Sequence, residues 1–285
     1  SILPFIVFSQ ILDTAAFIVR IDSLVKTART LTDQKQYESA FETIQTAEDS
    51  ASHWFGNHHP TYASCVFNHG RVFQFQGNPA KGIRYYRMAQ TIWESNQEPT
   101  SYPEYTSCLL NLANIYSKQG QPEEAEPLYL RTKSIREISP GRNHPGYARL
   151  LVNLGNLYVD MARFEDAEAL FQEAKALRAA NDGHQSLEYA NTLNSLGYFY
   201  YETGQYIAAE TILLEVKDIY EAILGKNDAE YARVLNNLAN VYTQLGLYGE
   251  AEPLQLEALQ TWANASGKKD PLYSTWLANL AHLYY

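Results

Sequence analysis

The side chains able to do chemistry are few, and their spacing argues against most of it. His53, His58 and His59 crowd one short stretch, and a group of imidazoles is a common beginning for a zinc or copper site. No acidic or thiol ligand is spaced to complete the shell, and His59-Pro60 recurs as His144-Pro145, so these histidines read as loop-shaping residues ahead of a helix start. The two cysteines, Cys65 and Cys108, form no Cys-x-x-Cys or Cys/His cluster, which leaves neither a disulfide framework nor a structural zinc site. They read instead as small hydrophobes in helix packing. No nucleophile is set beside a base, so no catalytic residue, metal or cofactor is expected in this segment.

What must position every side chain is an internal repeat. Tyr105-Thr-Ser-Cys-Leu-Leu-Asn-Leu-Ala-Asn-Ile-Tyr116 returns as Tyr147-Ala-Arg-Leu-Leu-Val-Asn-Leu-Gly-Asn-Leu-Tyr158, and again from Tyr189, Tyr231 and Tyr273, each step being 42 residues. Tyr62 lies 43 before Tyr105, and Arg20 takes the equivalent place 42 before Tyr62. The chain thus holds six full units and the first helix of a seventh. Counting the opening tyrosine as position 0, positions 4, 7, 8 and 11 are apolar or small in nearly every copy, which is helical spacing. Position 15 is Gly77, Gly120, Gly204 or Gly246, a helix stop, with Lys35 and Ala162 as exceptions. A second helix follows, small at position 20 (Ala40, Gly82, Ala125, Ala167, Ala209, Ala251) and large at 24 (Ile44, Tyr86, Tyr129, Phe171, Leu213), with Gln255 departing from the rule. Small residues let two helices approach and the bulky one fills the groove alongside, so each unit is an antiparallel helix pair.

Gly or Ala at position 8, an aromatic at 11 (Phe73, Tyr116, Tyr158, Tyr200, Tyr242, Tyr284) and the small and large pair at 20 and 24 resemble the tetratricopeptide repeat, over residues 20 to 285. The 42-residue period and the Ala-Glu-Pro-Leu segments at 125–128 and 251–254 resemble the subclass found in kinesin light chains. They are similar also to the arrays of bacterial proteins that carry a C-terminal CHAT, caspase-like peptidase domain. The resemblance implies an all-α, right-handed superhelical solenoid over residues 14–285, in which stacked pairs share one continuous core. It further implies that positions 2, 5, 6, 9, 12 and 13 of first helices line a concave groove that takes peptides.

On those positions stand the candidate partner-binding residues Asn111, Asn114, Arg149, Asn153, Asn156, Asn194, Tyr198, Arg233, Asn237, Asn240 and Asn279. Asn costs roughly half a kcal/mol or more against Ala in a helix interior, so its recurrence at positions 6 and 9 calls for an offset. One offset is a ladder of amides bonding across successive first helices. The other is a ligand, since an amide is donor and acceptor at once and pairs with a peptide backbone whatever its side chains. Arg149 and Arg233, two repeats apart at position 2, would add selectivity for an acidic segment.

Composition narrows the partner. The 22 Lys and Arg against 32 Asp and Glu give a formal charge of −10, and without a basic run this excludes a nucleic-acid or anionic-membrane surface. The 22 tyrosines could suggest base stacking, but they recur on the core spacing. No apolar run reaches the roughly 18 residues of a membrane span. A protein or peptide partner is expected, and the function is that of an interaction scaffold, or alternatively the sensor arm of a larger enzyme such as a CHAT-type peptidase encoded beyond residue 285. Residues 1–13 open on Ser1-Ile-Leu-Pro-Phe-Ile-Val-Phe8 and read either as a signal-peptide remnant, implying export, or as an N-terminal cap on a cytoplasmic protein. Leu277, Leu280, Ala281 and Tyr284 lack a covering second helix, so continuation past Tyr285 is expected.

Overall fold

A computed structural model describes residues 3–96 and 98–284, with the side chains of residues 3–13 excepted. The N-terminal leader or cap reading falls on side chains outside the described residues. The chain forms two compact units, Ser1–Arg136 and Glu137–Tyr285. The first holds α1 (Leu3–Asp33), α2 (Tyr37–Phe55), α3 (Pro60–Phe75), α4 (Pro79–Glu94), a single 3-10 turn at Pro99–Ser101, α5 (Pro103–Lys118) and α6 (Pro122–Arg136). The second opens on a π turn at Glu137–Gly141 and continues through α7 (Pro145–Asp160), α8 (Phe164–Asp182), α9 (Leu187–Glu202), α10 (Tyr206–Ile223), α11 (Ala229–Gln244), α12 (Tyr248–Ala265) and α13 (Pro271–Leu283). Among the described residues there is no strand, and the odd-numbered helices are the first helices of the repeat. Within each unit every first helix packs on its own second helix, α13 alone having none, and second helices pack on the next first helix.

First helices from α3 onward begin two residues ahead of the opening tyrosine, because a cap, a proline or both set the start. His59 and His144 each accept a backbone N–H through Nδ1, from Thr61 and Gly146, both at 3.1 Å. Ser186, Asp228 and Asp270 do the same through oxygen, and Pro60, Pro103, Pro145 and Pro271 take the first helical position. The loop-shaping reading of the two His-Pro pairs is thereby shown in atomic form.

Each first helix stops in the same way. The residue after position 15 donates its N–H to the carbonyl at position 11, as Arg163 to Tyr158 and Gln205 to Tyr200, both at 2.8 Å. That closure needs a left-handed residue at position 15. Lys35 and Ala162, which stand where the other units have Gly, adopt it too, at φ 61° and 57°.

The core follows the small-large alternation. A Cβ placed on Gly197 would lie 2.8 Å from Leu213 Cδ2, and one on Gly155 would lie 3.0 Å from Phe171 Cε1, so positions 8 and 24 are the tight contact of each pair. The alanines at position 20 are fully buried, and a Cβ on Gly82 would lie 3.3 Å from the Gly70 carbonyl oxygen, which confirms close approach there as well. Gln255, the departure at position 24, is buried and donates through Nε2 to Asn236 Oδ1 at 3.0 Å and to the Trp276 carbonyl at 3.1 Å.

The tyrosine excess has a physical cause. Opening tyrosines bury their rings and donate their hydroxyls to carboxylates of second helices or of the turn after them: Tyr62 to Glu48 (3.2 Å), Tyr105 to Glu94 (2.8 Å), Tyr147 to Glu137 (2.7 Å). Tyrosines at position 11 reach back to the previous copy, Tyr200 to Glu168 at 3.0 Å and Tyr284 to Glu252 at 2.5 Å. Both sets tie one repeat to the next while keeping the polar tip satisfied.

Candidate functional site

In the second unit four successive first helices converge on one cavity of about 360 Å³. α7 contributes Asn156, Val159 and Asp160, α9 Asn194, Ser195 and Tyr198, α11 Arg233, Asn236 and Asn237, and α13 Leu272 and Trp276. Five of the sequence-derived residues meet here: Asn156, Asn194, Tyr198, Arg233 and Asn237. Four further lining residues, Val159, Asp160, Ser195 and Asn236, stand on equivalent face positions, whereas Leu272 and Trp276 do not. Trp276 occupies position 3, elsewhere Cys65, Cys108, Leu150, Thr192 or Val234, so a break in the repeat pattern is the signal that points to it.

The amides fall into two groups. Asn237 Nδ2 donates to Asn194 Oδ1 at 3.2 Å, and Asn279 Nδ2 to Asn240 Oδ1 at 3.4 Å, contacts that run from one first helix to the next. Asn156 differs, being exposed on the cavity wall with no hydrogen-bond partner among the described residues. Asn153 is half-buried on α7 and does not line the cavity. Tyr198 is 48% exposed, and burial of the rest of its ring, with a hydrogen bond to Glu202, pushes its phenol up to about 12. Beside it Tyr201, Leu213, Asn237 and Asn240 close a small hollow of about 30 Å³. Arg233 sits 3.3 Å from Glu230 and lies over the Trp262 ring, 5.5 Å from its centroid. Arg149 lies apart, in the adjoining cleft between α7 and α9.

The first unit has its own cavity, of about 320 Å³, lined by Arg29, Phe67, Arg71, Gln74, Glu104 and Asn111 among others. Arg29 donates to Asn68 Oδ1 at 2.7 Å and pairs with Glu104 at 3.0 Å. Burial and the facing Arg29 hold the Arg71 guanidinium below its ordinary pKa. Both arginines stand at position 9, where three other copies carry Asn, which is the sequence signal that would have found them. Asn111 donates to the Tyr86 hydroxyl at 3.3 Å, and Asn114 accepts from the Tyr129 hydroxyl at 2.6 Å.

Neither cavity offers reactive chemistry. Cys65 and Cys108 are buried free thiols, Cys65 pushed up to about 12 and Cys108 also raised, in both cases chiefly by burial, which keeps them protonated and inert. Among the described residues no group of three or more His, Cys, Asp or Glu side chains gathers, and no helix is long and apolar enough to cross a membrane.

A family model described as tetratricopeptide repeat matches residues 20–95, 105–180, 188–259 and 230–285. The chain belongs to the tetratricopeptide repeat family. No curated protein sequence matches it. Among solved structures it is similar to a kinesin light chain-type protein of Podosopora anserina with nearly identical TPR-like repeats (19% identity, TM-score 0.61, covering 72% of this chain and 97% of that one). It is similar also to NprR in complex with its cognate peptide NprX (16%, 0.63, 94% and 72%). The third is the STAND protein PH0952 of Pyrococcus horikoshii, which has a tetratricopeptide repeat sensor (16%, 0.70, 91% and 38%). At these identities the likeness is one of fold, and it places the chain in an all-α repeat fold with kinesin light chain-like members.

Proposed function

We propose that this repeat array is an interaction scaffold whose second unit holds an extended peptide segment of a protein partner in the α7, α9, α11 and α13 cavity. The observation that carries the reading is the convergence of Asn156, Asn194, Tyr198, Arg233 and Asn237, from three helices 42 residues apart, on a cavity whose lining also includes Leu272 and the largely buried Trp276. Amides that pair with a peptide backbone, an exposed phenol ring and an apolar patch beside them form a surface suited to a chain and not to a reaction. Arg233 selects an acidic side chain on that segment. The groove residues Asn153, Asn240 and Asn279 of the second unit extend or brace that surface, while Asn111 and Asn114 stand on the first helix α5 of the first unit.

The test is a display selection of peptides against the full chain, followed by titration of the best binder against Asn156→Ala, Tyr198→Ala and Arg233→Ala. Affinity losses of tenfold or more with unchanged melting temperature support the reading. Undiminished binding to all three variants refutes it.

A second reading is that the array is the sensor arm of a larger enzyme, of which a CHAT-type peptidase is one form. The PH0952 protein favours it, since its tetratricopeptide sensor is one part of a chain of which this one matches 38%. Sequencing the complete reading frame decides between the two, a downstream α/β domain with a His/Cys pair being the expected finding under the second.

A further inference from the structure

The cleft between α7 and α9 holds a pair of arginines, at positions 31 and 2, that no other repeat places together. At position 31 three second helices carry a large buried aromatic, Trp93, Tyr220 and Trp262 at 0%, 1% and 4% exposed, and two carry a buried arginine, Arg136 and Arg178. In the second unit the aromatic meets position 2 of its own first helix in a complementary pair. The Tyr220 hydroxyl donates to Asn191 Oδ1 at 2.6 Å, and the Trp262 ring lies under the Arg233 guanidinium. The repeat that begins at Tyr147 instead puts Arg178 at position 31 and Arg149 at position 2, both lining one cleft of about 520 Å³. Two guanidiniums thus stand where the two following repeats place a matched aromatic and polar pair.

Their donors are only partly used. Arg178 is 7% exposed, and its Nη1 pairs with Asp182 at 2.9 Å. Its Nε is buried with no partner among the described residues. Arg149 is exposed and makes no hydrogen bond or ion pair among the described residues. His144 lines the same cleft, and because its Nδ1 accepts the Gly146 N–H, its Nε2 carries the proton and is a third donor. The one carboxylate on the lining is Glu188, at the exposed start of α9. Thr192 and Ser195 donate their hydroxyls to backbone carbonyls of Glu188 and Asn191 and so compete for nothing. A buried cationic donor without an acceptor is unfavourable, and an acceptor-only group removes the penalty.

We infer that this cleft is an oxyanion site for a phosphoryl group, held by Arg149, the Nε of Arg178 and the Nε2 of His144. The donors belong to the first turns of α7, the last turn of α8 and the cap before α7, and their side chains line the one cleft. A tetrahedral group offers three terminal oxygens to three such donors, whereas a carboxylate offers two in one plane. The group arrives either as free phosphate or on a phosphorylated residue of the partner peptide, and the chemistry of the site is the same in both cases. The site is distinct from the amide-lined cavity, so it stands or falls independently of the groove.

The experiment uses the full chain at constant ionic strength, titrated calorimetrically with inorganic phosphate, with acetyl-Gly-phosphoserine-Gly-amide and with acetate. Thermal melts in the same buffers run alongside. Phosphate or the phosphoserine peptide is expected to bind and to raise the melting temperature by a few degrees, with acetate at least tenfold weaker. The tighter of the first two identifies the source of the group. Arg149→Ala, at an exposed position, lowers that affinity tenfold or more. Arg178→Tyr with Arg149→Asn transplants the Tyr220 and Asn191 pair of the following repeat, keeps the fold and abolishes the response. The inference is overturned if neither phosphoryl probe binds, if acetate binds as well, or if the transplanted pair still responds.

Discussion

Position 8 offers a perturbation whose two components have opposite signs. Gly197→Ala replaces a mid-helix glycine of α9, and the change in backbone entropy alone would stabilise the protein by about 0.5–1 kcal/mol. Against that, the new methyl would lie 2.8 Å from Leu213 Cδ2 and 2.9 Å from its Cγ, both closer than carbon atoms settle. Leu213 is fully buried, so overpacking of about 1–3 kcal/mol opposes the gain. The net expectation is a loss of about 0.5–2 kcal/mol. Gly249→Ala is the internal control, since a methyl there meets nothing within 4 Å and should give only the helical gain. Leu213→Ala costs about 2–5 kcal/mol alone, but combined with Gly197→Ala it leaves room for the new methyl, so the double variant is more stable than additivity allows by about 1–2 kcal/mol. Urea unfolding of the four proteins, followed by far-ultraviolet circular dichroism, measures all of these differences. A stabilising Gly197→Ala, or an additive cycle within about 0.3 kcal/mol, would refute the position 8 and 24 contact as the origin of the small-large pattern.

Three further outcomes are expected. Ala162→Gly relieves a left-handed alanine at φ 57° and should stabilise by about 0.5–1 kcal/mol, which a thermal melt detects as a rise; a fall would mean that the Ala162 methyl is needed for packing. Tyr62 and Tyr231 are pushed up to about 12, first by burial and then by nearby glutamates, so their folded pKa lies above the unfolded value of about 10; their stabilisation is complete below pH 10 and lost as pH rises through 12. A melting temperature constant from pH 8 to 12 would contradict this. His69→Leu places at position 7 the residue that Leu112, Leu154, Leu196, Leu238 and Leu280 occupy, yet it strips Glu48 of its 2.7 Å partner, and we expect a loss of about 1–3 kcal/mol that Glu48→Gln partly restores. A stabilised single variant would show that the His69 and Glu48 pair contributes nothing.

Much of the fold was legible because a repeat averages out local ambiguity. Six glycines or alanines at register position 20 say more than any of them alone, and the alternation at 8, 20 and 24 is enforced by the approach of two helix backbones. The opening tyrosine is a packing marker and does not show the helix start, which lies two residues earlier and is fixed by His59, His144, Ser186, Asp228 and Asp270 as caps. A second left-handed glycine stands in the loops before α3, α7, α9, α11 and α13, at Gly56, Gly141, Gly183, Gly225 and Gly267, and is as regular as the first. The carboxylate partners of the tyrosines were not legible, since a hydroxyl that reaches the preceding copy depends on how consecutive helix pairs stack.

The asparagines show where sequence reasoning stops, and why. Ladder and ligand need the same amide at the same register, so no spacing rule separates them. The fold separates them residue by residue through what stands opposite. Asn237 faces Asn194 and Asn279 faces Asn240, so each amide spends a donor on the neighbouring first helix, and truncating either should cost stability before it costs affinity. Asn156 faces Ser195 and Tyr198 across the cavity and spends nothing, although it occupies the same position 9 as Asn240. The difference lies in the next copy, where Ser195 replaces the asparagine of position 6 and is too short to return the bond. One substitution in the repeat therefore frees an amide from the ladder, so the interruptions of a ladder, more than its rungs, mark where a partner is held. Asn156→Ala should accordingly weaken peptide binding while leaving the melting temperature unchanged, and Ser195→Asn should weaken it too by engaging Asn156. If Ser195→Asn leaves affinity intact while raising stability, Asn156 is not a ligand residue.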